Sequence, residues 1–223
     1  GGLGKSQVAA NLAFAYASES RQKTLLLDFD SKAAGDQNLI TGLKPKKNLK
    51  DLSEFSGAID PKAINQFVTP HPQNVHFIGM PSDPVACEGI NADSLGKTLK
   101  AVTNIYQLTV IDVGSELNDL ALKALEYTTM IMVVVTPDIL AVNQTRRLHS
   151  DLITMLFPKE MIFLIMNQAQ KGHPVTPEIV SKQVGRPVFS SIAKDDTTCV
   201  QALNASKPVV SVAKNSPFAK GVL

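Results

Sequence analysis

Cysteine is nearly absent from this sequence: of its 223 residues only Cys87 and Cys199 carry a thiol. They stand far apart, with no CxxC pair and no histidine at ligand spacing, which excludes a disulfide framework or a zinc-type site and leaves two core thiols in a reducing compartment. Charge of one sign is lacking too. Lysine plus arginine number 22 against 20 acidic residues, a formal net charge of +2, too small to argue for nucleic acid or an anionic membrane. No apolar run comes near the about 20 residues that span a bilayer, and the stretch from Met130 to Val135 shows how short such runs are here. The N-terminus carries no leader pattern, but it opens inside a motif. No internal repeat or low-complexity tract is present. No GxGxxG follows a strand pattern, which argues against a dinucleotide site. His71, His76, His149 and His173 share no spacing.

What is present is an ordinary globular composition, 44% hydrophobic and 19% charged, in a length that suits one domain. Short aliphatic runs alternate with helical periodicity. The runs are KTLLLDFD, LTVIDVG, MIMVVVTPD, MIFLIMNQ and PVFSSIAKDD, each ending in a polar residue or turn. Helical patterns cover Lys5 to about Ala17, Asp119 to about Tyr127, Leu140 to about Leu156 and Thr176 to about Val184. The last has Thr176 as N-cap, Pro177 at the first position and Gly185 past the end. The expected fold is α/β, a doubly wound, mostly parallel sheet with helices on both faces. Residues 44–72 read as an excursion off the sheet, and Pro81 to Asn91 as a loop broken by Pro81, Pro84 and Gly89.

The chain opens with GGLGKSQVAANLAFAYA. Gly2 and Gly4 allow backbone N–H groups to close around phosphate oxygens, Lys5 can reach the β/γ phosphates, and the Ser6 hydroxyl suits magnesium. The helix that starts at once behind them adds its positive end. Alone, the GxGKS string also fits a glycine turn ahead of a surface helix. Its context is more specific: a strand pattern ends in Asp28 and Asp30, 23 and 25 residues after Lys5, and a later one ends in Asp112. Asp28 and Asp30 flank Phe29, so the two-residue strand period points both to one side. In phosphoryl transfer one such acid orients the attacking water, while Asp112 at a strand end faces magnesium. Strand-end acids that only cap loops are the plain alternative, and Asp36 in AAGDQN is equally a turn residue.

The strings GGLGKSQVAANLA, TLLLDFD and LTVIDVG together resemble the deviant Walker A ATPases, the MinD/ParA group, along nearly the whole chain. The resemblance implies a SIMIBI-type P-loop NTPase that holds ATP or ADP with Mg2+ in a homodimer. It implies nucleotide contacts from Gly2, Leu3, Gly4, Lys5, Ser6 and Gln7, catalysis by Lys5 and Asp30, and metal contacts from Ser6 and Asp112. Asn167, at the end of MIFLIM, would meet the adenine edge, and Ala193 in IAKDD would give main-chain contacts around the base. The chain departs from the family pattern at Gln7, where a second hydroxyl is usual, in lacking a proline after Asp112, and at Ala193 in place of a proline. The family's signature lysine would precede Gly1, as would the strand leading into the loop. A domain beginning within its P-loop is therefore expected to continue upstream.

TTMIMVVVTPDILAVNQTRRL and GRPVFSSIAKDDTTCVQALNASKPVV resemble most the CpaE/TadZ branch, pilus-assembly ATPases that localise secretion machinery at a cell pole. That branch implies pilus or secretion proteins as partners, an upstream receiver-like domain, and a cytoplasmic position, polar or peripheral to the inner membrane. A DNA-partition ATPase and a nucleotide-binding scaffold without meaningful hydrolysis are the competing readings. Asn118 with Asp119 to Glu126 would contribute to a dimer face. Arg146 and Arg147, and the cluster Lys44, Lys46, Lys47 and Lys50, fit either a DNA surface or a solvated face. The end VAKNSPFAKGVL, broken by Pro217, is not a membrane-binding helix.

Overall fold

Each of the five aliphatic runs forms a strand in the computed structural model, which describes residues 2–102 and 104–223. In chain order the elements are α1 (Lys5–Ser20), β1 (Thr24–Asp28), α2 (Asp36–Thr41), α3 (Leu49–Ser53), α4 (Pro61–Ile64), β2 (Thr69–His71) and β3 (Val75–Ile78). There follow α5 (Pro84–Glu88), α6 (Ala92–Val102), β4 (Leu108–Asp112), α7 (Asp119–Glu126), β5 (Ile131–Val135) and α8 (Ile139–Thr154). The chain closes with β6 (Ile162–Ala169), α9 (Pro177–Val184), β7 (Val188–Ala193), α10 (Asp196–Asn204), α11 (Val209–Val212) and α12 (Pro217–Val222).

Among the described residues the strands run mostly parallel, in two groups, β2-β3-β1-β4 and β5-β6-β7, with only the β2–β3 pair antiparallel. All five residues of β1 are buried, which is why it reads as a continuous apolar run rather than an alternating one. Helix α1 joins the groups. Its Ala10, Ala13, Phe14 and Ala17 pack on Leu26, Val75 and Phe77, while Val8 packs with Val134, Ile165 and Ile192. On the opposite face, α3 and α6 cover the first group through Leu49, Leu52, Leu95 and Leu99, and α8 and α9 cover the second through Val142, Leu152 and Val180. Among the described residues no ladder connects β4 to β5. A cleft of about 870 Å³ separates their facing edges, walled by Val8 and Leu12 of α1 and by Leu148 and Leu152 of α8.

Several boundaries differ from expectation. The excursion over 44–72 does leave the sheet at α3 and α4, but it returns at Thr69–His71 as the antiparallel edge strand. The expected loop over 81–91 contains α5, whose N-cap Asp83 accepts a hydrogen bond from the Val85 N–H. Strand β3 carries no clear signature in the sequence, because His76 interrupts its short apolar pattern. That ring lies half-buried against the Tyr106 hydroxyl at 2.7 Å. Pro217 begins α12, behind a Ser216 N-cap, and Phe218 and Ala219 are buried. The expected caps of α9 hold: Thr176 accepts from the Ile179 N–H, and Gly185 takes a left-handed φ of 81°. Among the described residues no helix is long and apolar enough to cross a membrane.

Candidate functional site

The loop that the sequence singles out stands at the N-terminus of α1. Gly2 and Gly4 both have left-handed backbones, with φ of 83° and 82°; Gly1 lies outside the described residues. Gly4 is the N-cap of α1, and no side chain caps it. The first-turn N–H groups of Lys5, Ser6 and Gln7 therefore lack intrahelical acceptors and carry the helix's positive end. Lys5 makes no ion pair with another described residue. Its side chain borders the cleft beside Gly114 and Ser115. The Gln7 side chain turns away from the loop, its Oε1 accepting from the Asn11 amide at 3.2 Å.

Asn167 lies against this loop. Its Nδ2 donates to the Leu3 carbonyl at 2.9 Å, although 164 residues separate the two in sequence. A Cβ on Gly4 would meet the same nitrogen at 2.4 Å, so Gly4 is required both by its φ and by the space Asn167 occupies. One amide donor of Asn167 thus serves the loop backbone. Ala193 ends β7, paired with Ala169, and offers only a methyl and its main chain.

The acids converge because β1 and β4 are in register, Asp28 opposite Asp112. Both are buried, at 1% and 4% exposure. Burial first, then the Asp112 charge, pushes the Asp28 carboxyl up to about 8, against the pull of the Asp30 N–H. Asp28 Oδ1 accepts that N–H at 3.1 Å, and its buried Oδ2 has no partner. Asp30 Oδ1 accepts from the N–H groups of Lys32 and Ala33, closing an Asx-type turn at the end of β1. Its carboxyl lies on Gly114, where φ is 73° and a Cβ would stand 2.4 Å from Asp30 Cγ. Asp36 is exposed in the first turn of α2.

Sequence reasoning missed Gln37. It is 1% exposed, and its Nε2 donates both to the Ser6 carbonyl at 3.0 Å and to Asp112 Oδ2 at 2.9 Å. An uncharged residue at no motif spacing carries no signal of this kind.

The remaining candidates are held elsewhere. α7 packs on α6, and Lys123 pairs with Asp93 at 3.1 Å and with Glu126 at 2.9 Å. Lys47 sits 4.7 Å over the Phe67 ring, and the Arg146 guanidinium donates to Asn143, so these cations already have partners within the chain. Arg147 borders the cleft.

A left-handed glycine loop, an uncapped helix start and a lysine beside buried strand-end carboxylates can hold a phosphate chain at its oxygens while acids stand across from it. A family model described as an AAA domain matches residues 1–156. The chain belongs to this AAA domain family. The virulence plasmid ParA family protein pGP5-D of Chlamydia psittaci is 24% identical over 236 residues, covering 100% of the chain and 88% of the relative. Among solved structures, a ParA family ATPase from Chlorobium tepidum superposes with a TM-score of 0.90 at 24% identity, covering 100% of this chain and 91% of that one. The septum site-determining protein MinD of Pyrococcus horikoshii, complexed with Mg-ADP, gives 0.84 at 21% identity, covering 100% and 88%. At such identities the solved structures speak to the fold, and this AAA domain has the α/β, mostly parallel architecture of the MinD/ParA P-loop NTPases.

Proposed function

We propose that the protein is an ATP-dependent dimerising switch of the MinD/ParA type. The observation that carries this reading is the uncapped start of α1 behind two left-handed glycines, set beside the facing carboxylates of Asp28 and Asp112. The backbone N–H groups of residues 4–7 bind phosphate oxygens, and Lys5 neutralises the charge that develops on the outer phosphates. Ser6 and Asp112 are the residues that would hold magnesium. No group of three or more His, Cys, Asp or Glu side chains that could hold a metal occurs among the described residues. The donor set therefore fits a cation that completes its shell from phosphate and water. The buried, unpartnered Asp28 Oδ2 beside Asp112 supports a polar guest there. When bound, the cation supplies charge neutralisation at the transferred phosphoryl group. Asp30 orients the attacking water through Oδ2, since its turn with Lys32 and Ala33 uses Oδ1. Asn167 holds the loop through Leu3, with its remaining amide atoms on the side of the base, and Ala193 supplies main-chain contacts there.

The same reading accounts for the cleft between β4 and β5: an extended apolar segment preceding Gly2, parallel to both edges, would join the two strand groups. The narrower assignment, a CpaE/TadZ-like protein that localises pilus or secretion machinery at a cell pole, rests on the strings in the second half of the chain. The ParA family name of the Chlamydia psittaci relative favours a second reading, DNA partition.

Sedimentation with ATP, ADP or no nucleotide, combined with phosphate release, tests the switch. ATP-dependent dimerisation with slow turnover is expected, with both lost in Lys5→Ala and turnover alone lost in Asp30→Ala. Unchanged turnover in both variants would refute the site. ATP-dependent, salt-sensitive DNA binding by the dimer selects the partition reading.

A further inference from the structure

Gln37 belongs to neither the glycine loop nor the strand-end acids, yet it touches both. It lies on α2, 31 residues from Ser6 and 75 from Asp112 in sequence, and its single amide nitrogen donates to the Ser6 carbonyl and to Asp112 Oδ2. The side chain is nine-tenths or more buried, and its Oε1 has no partner. A buried amide fixed by its donor and left with a free acceptor is costly unless something donates to that oxygen. The nearest elements leave few candidates for the donor. The Ser6 carbonyl and Asp112 Oδ2 face Gln37 as acceptors and so do not supply that donor.

We infer that Gln37 is a positioning residue for the magnesium side of the nucleotide site, an inference that rests on the function proposed above. Its N–H2 group holds the Asp112 carboxylate against the first turn of α1, and its Oε1 accepts a hydrogen bond from water in the cation's hydration shell. Because the Thr41 hydroxyl donates to the Gln37 carbonyl at 2.7 Å and the Gly42 N–H to Asn38 at 2.9 Å, Gln37 is rigidly part of α2. Cation binding at Asp112 is thereby felt by the segment between Asp30 and Thr41.

Gln37→Met keeps the length of the side chain and removes both donor and acceptor. A fluorescent ATP analogue, titrated with and without Mg2+, reads the effect in the full chain, with thermal unfolding as the control for folding. The expected result is a Mg2+ midpoint about tenfold or more higher than in the native chain, as is usual when an outer-shell partner of a metal ligand is lost. Nucleotide affinity in EDTA should stay within about twofold. A Mg2+ midpoint within about twofold of native overturns the inference. So does an equal loss with and without Mg2+, which marks general damage to the loop. Should Gln37→Met fail to fold, Gln37→Asn, with its amide one methylene short of Asp112, is read by the same criteria. Failure of the native chain to bind the analogue at all refutes the proposed function instead.

Discussion

Asp28 sets the pH behaviour of the site. Its carboxyl is pushed up to about 8, mainly by burial and next by Asp112, so the folded chain holds a proton that the unfolded chain releases near 3.8. A raised folded value contributes stability that is complete below the unfolded pKa and is lost as pH rises through the folded one. Metal-free protein should therefore lose stability between about pH 4 and pH 8, by at most about 1.4 kcal/mol per pH unit from this group. Asp28→Asn, neutral throughout, should flatten that part of the profile in thermal unfolding followed from pH 5 to 8. Identical slopes in the two proteins would refute the assignment. The places of Asp30 and Asp112 at strand ends and of Lys5 at a helix start were legible, because apolar runs that stop at an acid and glycines ahead of a helical period mark such ends. Gln37 and the loop contact of Asn167 were not, because a neutral amide takes its meaning only from what it faces.

Among the elements, α1 carries the most. Its N-terminus forms the loop, and its apolar residues join the two strand groups. Asn11, 0% exposed within it, accepts the Val210 N–H at 3.0 Å and so ties α11 to α1 across 199 residues. Asn11→Ala leaves that partly buried N–H unpaired, a loss of about 1–3 kcal/mol. At about 2–4 °C per kcal/mol for a chain of this size, the melting midpoint should fall by about 2–12 °C. A midpoint unchanged in calorimetry would show that water replaces the bond. The long periodic helices and the apolar strands were readable from sequence, since burial on one stripe or on both faces imprints a period. Short pieces such as α5, α11 and β3 were not. A single turn or a four-residue strand holds too few residues to show one, and tertiary contacts decide it instead.

At the scale of the whole molecule, a cleft stands between β4 and β5 and divides the strands into two groups. Its walls are chiefly aliphatic, from Val8, Leu12, Leu148 and Leu152. The amino-acid sequence by itself determined the α/β alternation, the glycine loop ahead of α1 and the acids at the ends of β1 and β4. These are local, written in the period of burial and in the backbone freedom that glycine alone supplies. Only the tertiary structure decided that Asp28 faces Asp112, that Asn167 closes on Leu3, and that Gln37 bridges Ser6 to Asp112. Those pairings join residues dozens to more than a hundred positions apart. Strand register and the packing of α2 against α1 set them, and no pattern along the chain records either.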